Sequence, residues 1–150
     1  IGGRGVRLAS PQARQRLAAA DHGVLCTVHH ERGADAVPVV FAVIGDHLAV
    51  PIDRVKPKST VRLQRERNLA TDPRATLLVE QWDAEDWSRL WWVRAELRWA
   101  PEVPETLRDS LTEGLATKYP QYADRPFTGV LVLEIVAVTG WAATAPRPTS

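Results

Sequence analysis

The sequence predicts a mainly β protein, an antiparallel barrel with helices packed at its ends. Three observations favour this class: about six segments look like strands, short hairpin turns join the early ones, and strands do not alternate regularly with helices. The clearest strand is RLWWVRAELRWA, residues 89–100, which has one apolar and one charged face. The apolar face carries Trp91, Val93, Ala95, Leu97 and Trp99, and the other carries Leu90, Trp92, Arg94, Glu96 and Arg98. A strand of roughly 40 Å is typical of barrels in which one bent strand serves two parts of a curved sheet.

The first half of the chain reads as one short helix followed by three strands. Ser10 and Pro11 suit a helix N-terminus and Gly23 suits a stop, so residues 11–21 are predicted to be helical. Strands are predicted at residues 24–29, 36–44 and 47–52. Pro38 interrupts the second strand and therefore predicts a sheet edge or a bulge at that point.

The second half adds two helices and three strands. A basic helix is predicted at residues 59–70, a strand at 75–82, the long strand after it, an amphipathic helix at 104–118 and a last strand at 130–141. In the amphipathic helix, apolar residues recur every four positions, at Val103, Leu107, Leu111 and Leu115. The 150 residues are predicted to form a single domain, residues 1–150, in which residues 1–9 and 143–150 are flexible.

Composition argues against several classes of function. The net charge is +1, from 19 basic and 18 acidic residues, so no basic excess indicates binding to nucleic acid. No apolar run approaches the roughly 20 residues of a membrane span, and no signal peptide is recognisable. With a single cysteine, Cys26, the chain is expected to be a reduced cytoplasmic protein.

The sequence gives little support for a metal site or for a nucleophilic side chain. His29 and His30 are adjacent, so on a strand their rings are expected on opposite faces, and no set of three or four converging ligands is apparent. Cys26 alternates with Val24 and Val28 and is expected on a core face, which disfavours a reactive thiol. We expect no metal site, and the sequence identifies no catalytic residue.

The segment Lys56-Pro57-Lys58-Ser59 is a more promising candidate. The chain has only three lysines, and two of them lie here, two positions apart and directly before the basic helix. Ammonium groups, a hydroxyl and a helix N-terminus together can bind a phosphate or a carboxylate. A solvated basic turn would give the same pattern.

Six tryptophans in 150 residues are more than the interior of one small barrel can hold. Because Trp91 and Trp92 are adjacent on a strand, one of them is expected to face a second subunit or a flat ligand. The sequence thus predicts a homodimer with a ring-shaped ligand at or near the subunit interface.

Several of these segments occur in an order that resembles a known group of proteins. They are VPVVFAV, a Gly45-Asp46 turn, Lys56-Pro57-Lys58, and the run NLATDPRATLLVEQWDAEDWSRLWWVRAE, whose DWSRLWWVR portion is the most specific. This order resembles the flavin and deazaflavin oxidoreductases of the pyridoxamine 5′-phosphate oxidase-like superfamily, in particular the actinobacterial branch of probable coenzyme F420-dependent enzymes. The resemblance spans about residues 10–142.

The resemblance implies a six-stranded antiparallel split β-barrel of the FMN-binding type and a homodimer whose cofactor sites use both subunits. The ring of the cofactor would lie against two neighbouring strands, and the basic loop would hold its phosphate. The residues so implied are Val37, Pro38 and Val39 on one strand, Ala49, Val50 and Pro51 on the next, and Lys56, Pro57 and Lys58 in the loop. Trp92 and Trp141 would come from the second subunit, and Arg94 would bind the acidic tail of the cofactor or pair within the barrel face.

The function implied is hydride transfer between coenzyme F420 and an unsaturated small-molecule acceptor. FMN is the alternative cofactor, and a non-catalytic module that binds a flavin-like or haem-like ring is the alternative function. No protein acid or base is apparent near the implied ring, so the proton is expected to come from solvent.

Overall fold

The computed structural model describes residues 4–52, 63–124 and 127–146. These residues form eight strands and three α-helices, in the order β1 (Val6–Arg7), α1 (Ser10–Ala19), β2 (Gly23–His29), β3 (Gly33–Val39), β4 (Ala42–Ile44), β5 (His47–Ile52), α2 (Gln64–Thr71), β6 (Arg74–Gln81), β7 (Trp91–Trp99), α3 (Glu105–Lys118) and β8 (Gly129–Ala142). Short 3₁₀ turns lie at Trp87–Arg89 and Pro120–Tyr122. The predicted Lys56-Pro57-Lys58 site lies outside the described residues.

The strands form one antiparallel sheet in the order β3-β2-β6-β7-β8-β5-β4, and β1 pairs with the end of β8. β8 is the strand that serves two parts of the sheet. It pairs with β7 over most of its 14 residues, and its first six residues, 129–134, also pair with β5. The sequence assigned this role to the tryptophan strand, but β7 has only nine residues in the structure.

The inward face of β7 agrees with the sequence prediction. Val93, Ala95 and Leu97 are buried, and Trp91 and Trp99 pack at the edge of the same core. Burial of these side chains provides the main driving force for closing the sheet. A second, smaller core lies under α3, whose predicted apolar stripe contributes Val103, Leu107, Leu111 and Leu115.

The mainly β class and the antiparallel arrangement are confirmed, and there are eight strands rather than six. One extra strand arises because the predicted strand 36–44 is two strands, β3 and β4, separated by Val40 and Phe41. The other is β1, which lies in the segment expected to be flexible. Val6 and Arg7 pair with Ala142 and Trp141, and Leu8 is buried.

Two predictions about β2 are wrong. Leu25 and Thr27 face the core, whereas Cys26 lies on the outer face and is half-buried. Gly23 and His29 are buried on the same face as Leu25 and Thr27. The apolar side chains of Val24 and Val28 therefore suggested the wrong face of β2 as the core face. His29 and His30 do not point apart either: their rings stack with centroids 4.8 Å apart, because the strand ends between them.

Among the described residues, no helix combines the length and the apolar character that a membrane crossing requires.

Candidate functional site

A cavity of about 340 Å³ opens between the end of β3 and β5. Its size lies within the range of roughly 300–1,000 Å³ that is typical of small-molecule sites. Most of its wall is apolar, with one cation and one imidazole. The lining residues are His22, Pro38, Val39, Val40, Val50, Pro51, Arg65 and Tyr122.

Four of the residues implied by the resemblance therefore lie together: Pro38, Val39, Val50 and Pro51. Pro38 is exposed at the edge strand, whereas Val39, Val50 and Pro51 are buried. A proline has no N–H to donate to a neighbouring strand, so Pro38 suits the end of a ladder beside an opening. The two strands present a rigid apolar surface to the cavity.

Two other implied residues lie elsewhere. Val37 is exposed on β3 and is absent from the cavity lining. Ala49 is fully buried between its sheet partners Ala42 and Val132, in the small core under α3. Neither side chain faces the cavity.

Arg65 brings a positive charge into the wall of the cavity. It lies near the start of α2, is half-buried, and donates a long hydrogen bond of 3.4 Å to the carbonyl oxygen of Pro51. An arginine in a partly desolvated wall is suited to bind a phosphate or a carboxylate. The sequence marked the helix as basic but did not single out Arg65. The sequence did contain one signal for the position of Arg65. Leu69 lies four residues later, on the same face of the helix, and Leu69 is buried.

Hydrogen bonds from Asn68 to the sheet fix the position of α2 and hence of Arg65. Asn68 is buried, and its amide donates hydrogen bonds of 2.9 Å to Thr27 Oγ1 and to Asp35 Oδ2. Gln64 donates to the Asn68 side-chain oxygen at 2.8 Å. The hydrogen bond from Asn68, followed by that from Arg32, lowers the pKa of Asp35. A buried amide with all these partners holds the helix in a single position.

Near the cavity, hydrogen bonds connect the end of α3 to the link between β3 and β4. Tyr119 accepts a hydrogen bond from the Phe41 N–H at 3.2 Å, and its hydroxyl lies within donating distance of the carbonyl oxygens of Asp21 and Phe41. Lys118 donates to the carbonyl oxygens of Ala18 and Phe41, and its ammonium group lies 4.3 Å from the centre of the Phe41 ring. Burial lowers the pKa of Lys118 and raises that of Tyr119.

Trp92, Arg94 and Trp141 lie together in a separate groove on the outer face of β6, β7 and β8, with a volume of about 320 Å³. Trp92 is opposite Trp141 in the sheet, and the Arg94 guanidinium carbon lies 5.4 Å from the centre of the Trp92 ring. Trp91 packs against the main core and also lines part of this groove, so the expectation that the adjacent tryptophans face opposite sides holds only in part. This groove shares no lining residue with the cavity beside β3.

The sequence suggested no acid or base near the ring, yet His22 lies in the cavity wall. It directly precedes β2 and is exposed. The sequence could not predict this position, because the turn that carries His22 is brought next to β3 and β5 only by the folding of the sheet. Among the described residues, no group of three or more metal-ligating side chains comes together.

Comparison with solved structures identifies the fold. A FAD-binding protein from Mesorhizobium loti superposes with a TM-score of 0.67 at 16% identity, over 91% of this chain and 96% of that one. A conserved hypothetical protein from Mycobacterium tuberculosis gives 0.69 at 20% identity, over 99% and 94%. The protein is a split β-barrel.

The split barrel also resembles a heme-binding protein from Mycobacterium smegmatis, with a TM-score of 0.68 at 19% identity, over 95% of this chain and 57% of that one. At these identities the likeness concerns the fold alone. No protein-family model matches the chain. No curated protein sequence matches it.

Proposed function

We propose that the protein is an F420-dependent oxidoreductase that transfers a hydride between the deazaflavin coenzyme and an unsaturated small-molecule acceptor. The observation that carries the proposal is the cavity beside β3, where two prolines and three valines form a largely apolar wall that also contains the Arg65 side chain. A planar ring that ends in an anionic chain requires this combination.

In this proposal, Pro38, Val39, Val50 and Pro51 contact the ring and exclude water from it. Arg65 binds an anionic group of the cofactor. Lys56, Pro57 and Lys58 belong to the segment that joins β5 to α2, and the cavity residues Pro51 and Arg65 lie near the end of β5 and the start of α2. We therefore assign the two lysines to the cofactor phosphate. When bound, the coenzyme would supply the hydride chemistry.

The outer groove with Trp92, Arg94 and Trp141 is proposed to complete the site from a second subunit. Trp82 at its rim is 53% exposed, and the groove therefore presents a large aromatic surface that a partner would cover. In a homodimer, Trp92 and Trp141 of one subunit would close the cavity of the other, with Arg94 available to the acidic tail.

FMN is the alternative cofactor, because its phosphate and ring would use the same wall. Titration of the purified protein with F420 and with FMN, each followed by fluorescence, tests the proposal. We expect saturable F420 binding and, with a reduced-F420 assay, oxidation of the coenzyme by quinones, enones or nitroaromatics. If the protein binds FMN but not F420, FMN is the cofactor instead. If it binds neither, the proposal is refuted.

A second candidate is non-catalytic binding of a haem-type ring. It is favoured by the likeness to a heme-binding protein and by His22, since a neutral imidazole can ligate haem iron. Titration with haemin decides between the two: a shift of the haemin Soret band that His22→Ala abolishes, together with no oxidation of reduced F420, would favour this candidate.

A further inference from the structure

We propose that the groove formed by the 3₁₀ turn after α3 is the acceptor subsite, and that it takes a neutral, planar, largely apolar ring with a carbonyl at its edge. The proposal rests on the proposed function, because it assigns the acceptor of that reaction a place and a chemical class.

The groove adjoins the proposed cofactor cavity. It has a volume of about 370 Å³ and is lined by Val40, Tyr119, Pro120, Gln121 and Tyr122. Val40 and Tyr122 line the cavity beside β3 as well, so the two spaces share part of their wall. A molecule in the groove would therefore lie next to a ring held between β3 and β5, as transfer between two bound molecules requires.

The wall of the groove is aromatic and held in place. Tyr122 packs edgewise against Tyr119, with ring centroids 6.0 Å apart, and against Phe127 at 5.3 Å. Phe127 is buried, and the Tyr119 hydroxyl bonds to the backbone of Phe41. Because these rings are already fixed, they lose little conformational entropy when they bind a flat apolar molecule.

The absence of charged lining residues distinguishes this groove from the outer tryptophan groove, the other candidate for the acceptor. No lining residue of the groove beside Tyr122 is charged. The nearby ammonium group of Lys118 is engaged by the carbonyl oxygens of Ala18 and Phe41. The outer tryptophan groove, by contrast, contains Arg94 and Glu80 and does not adjoin the cavity.

Besides the hydroxyls of Tyr119 and Tyr122, the groove has the side-chain amide of Gln121 as a polar group. Gln121 is exposed, and its side chain makes no hydrogen bond to the described residues. A side-chain amide can donate to a carbonyl oxygen at the edge of a ring. Quinones and cyclic enones combine such a carbonyl with a flat apolar body, whereas anionic acceptors would find no cation in this wall.

The test measures binding rather than turnover. The probe is 2,3-dimethyl-1,4-naphthoquinone, whose substituted ring carbons cannot react with the thiol of Cys26, and naphthalene-2-sulfonate is the charged counterpart of similar size. Ligand-observed NMR titrations use the whole protein, with and without F420. Tyr122→Leu removes the ring but keeps apolar bulk against Phe127, and Tyr122→Phe is the matched control.

We expect Tyr122→Leu to weaken quinone binding by at least about tenfold and Tyr122→Phe by less than about threefold. Because Tyr122 also lines the cofactor cavity, F420 binding is measured for the same variants, and Tyr122→Leu should weaken F420 binding clearly less than quinone binding. In the isotope-labelled wild type, nuclear Overhauser contacts from the quinone should appear at Val40 and Tyr122, a result that does not depend on the folding of any variant. Naphthalene-2-sulfonate should bind more weakly than the quinone.

Equal loss of F420 and quinone binding in Tyr122→Leu would overturn the inference, because the groove would then belong to the cofactor. Unchanged quinone binding in that variant, or equally tight binding of the sulfonate, would also overturn it. Quinone binding at Tyr122 in a protein that binds neither F420 nor FMN would support the ring-binding groove while refuting the proposed function.

Discussion

The hydroxyl of Tyr119 lies 2.9 Å from the carbonyl oxygen of Phe41 and accepts a hydrogen bond from the N–H of the same residue at 3.2 Å. One side chain thus ties the end of α3 to the two-residue link between β3 and β4. Since Val40 of that link lines both the cavity and the neighbouring groove, this contact fixes the relative position of the two spaces.

Tyr119→Phe is expected to destabilise the protein by about 1–3 kcal/mol, because it leaves the part-buried N–H of Phe41 without its acceptor. Urea unfolding followed by tryptophan fluorescence measures the change. Thr117→Val removes an exposed hydroxyl from the same helix and should stay within about 0.5 kcal/mol of the wild type. Equal stability of Tyr119→Phe and the wild type would show that the tyrosine hydroxyl is not an anchor.

Arg65→Gln should weaken binding of F420 or FMN by about tenfold or more at low salt, because a charge-assisted bond to the anionic group is lost. Arg67→Gln is the matched control: Arg67 lies on the same helix, is exposed, and is absent from the cavity. Fluorescence titration at two salt concentrations gives both dissociation constants. Equal effects of the two substitutions would indicate a general charge effect rather than a contact in the cavity.

Asn68→Ala should cost about 1–3 kcal/mol of stability, since the buried Thr27 hydroxyl loses its donor. The same change should raise the pKa of Asp35 toward its ordinary value, because the hydrogen bond from Asn68 is the largest cause of its depression. NMR titration of the Asp35 carboxyl carbon measures this pKa. Thr27→Val should lower stability while leaving the Asp35 pKa depressed, which separates the two contacts of the amide.

The pair of Asp72 and Arg74 should make the fold sensitive to acid. The Arg74 side chain, with Nη2 at 2.7 Å and a further bond from Nε, lowers the pKa of Asp72 to about 2, from 3.8. A depressed folded-state pKa contributes stability above the unfolded value, and this contribution is lost as the pH falls from about 4 to about 2. Unfolding of the wild type and Asp72→Asn at pH 6 and pH 2.5 should show a difference that shrinks at the lower pH. A difference that persists at pH 2.5 would point to some other role of the carboxylate.

Much of the fold follows from periodicity. The alternation of Val93, Ala95 and Leu97 with charged neighbours placed β7 and its inner face correctly, because the tryptophan strand has only one apolar side that a core can use. The same argument failed for Cys26, since both faces of β2 carry small or apolar residues and the buried Thr27 and His29 look polar. β1 was missed because two residues are too few to show a period.

The candidate site was only partly accessible from the sequence. Pro38 and Pro51 mark positions where a strand cannot donate a hydrogen bond, and both lie in the cavity. His22, Arg65 and Tyr122 come from three other elements, and their convergence depends on how the sheet curves. Neither spacing nor composition encodes that curvature. The role of Lys56 and Lys58 stays a prediction, because they lie outside the described residues.

The central claim is that the cavity between β3 and β5 holds the ring of the cofactor, and a crystal structure of the protein with F420 tests it most directly. The account predicts the deazaflavin ring in van der Waals contact with Pro38 and Pro51, with an anionic group of the cofactor at Arg65. A coenzyme bound instead beside His29 and Arg67, or against Cys26 and Thr76 on the outer sheet face, would contradict the account.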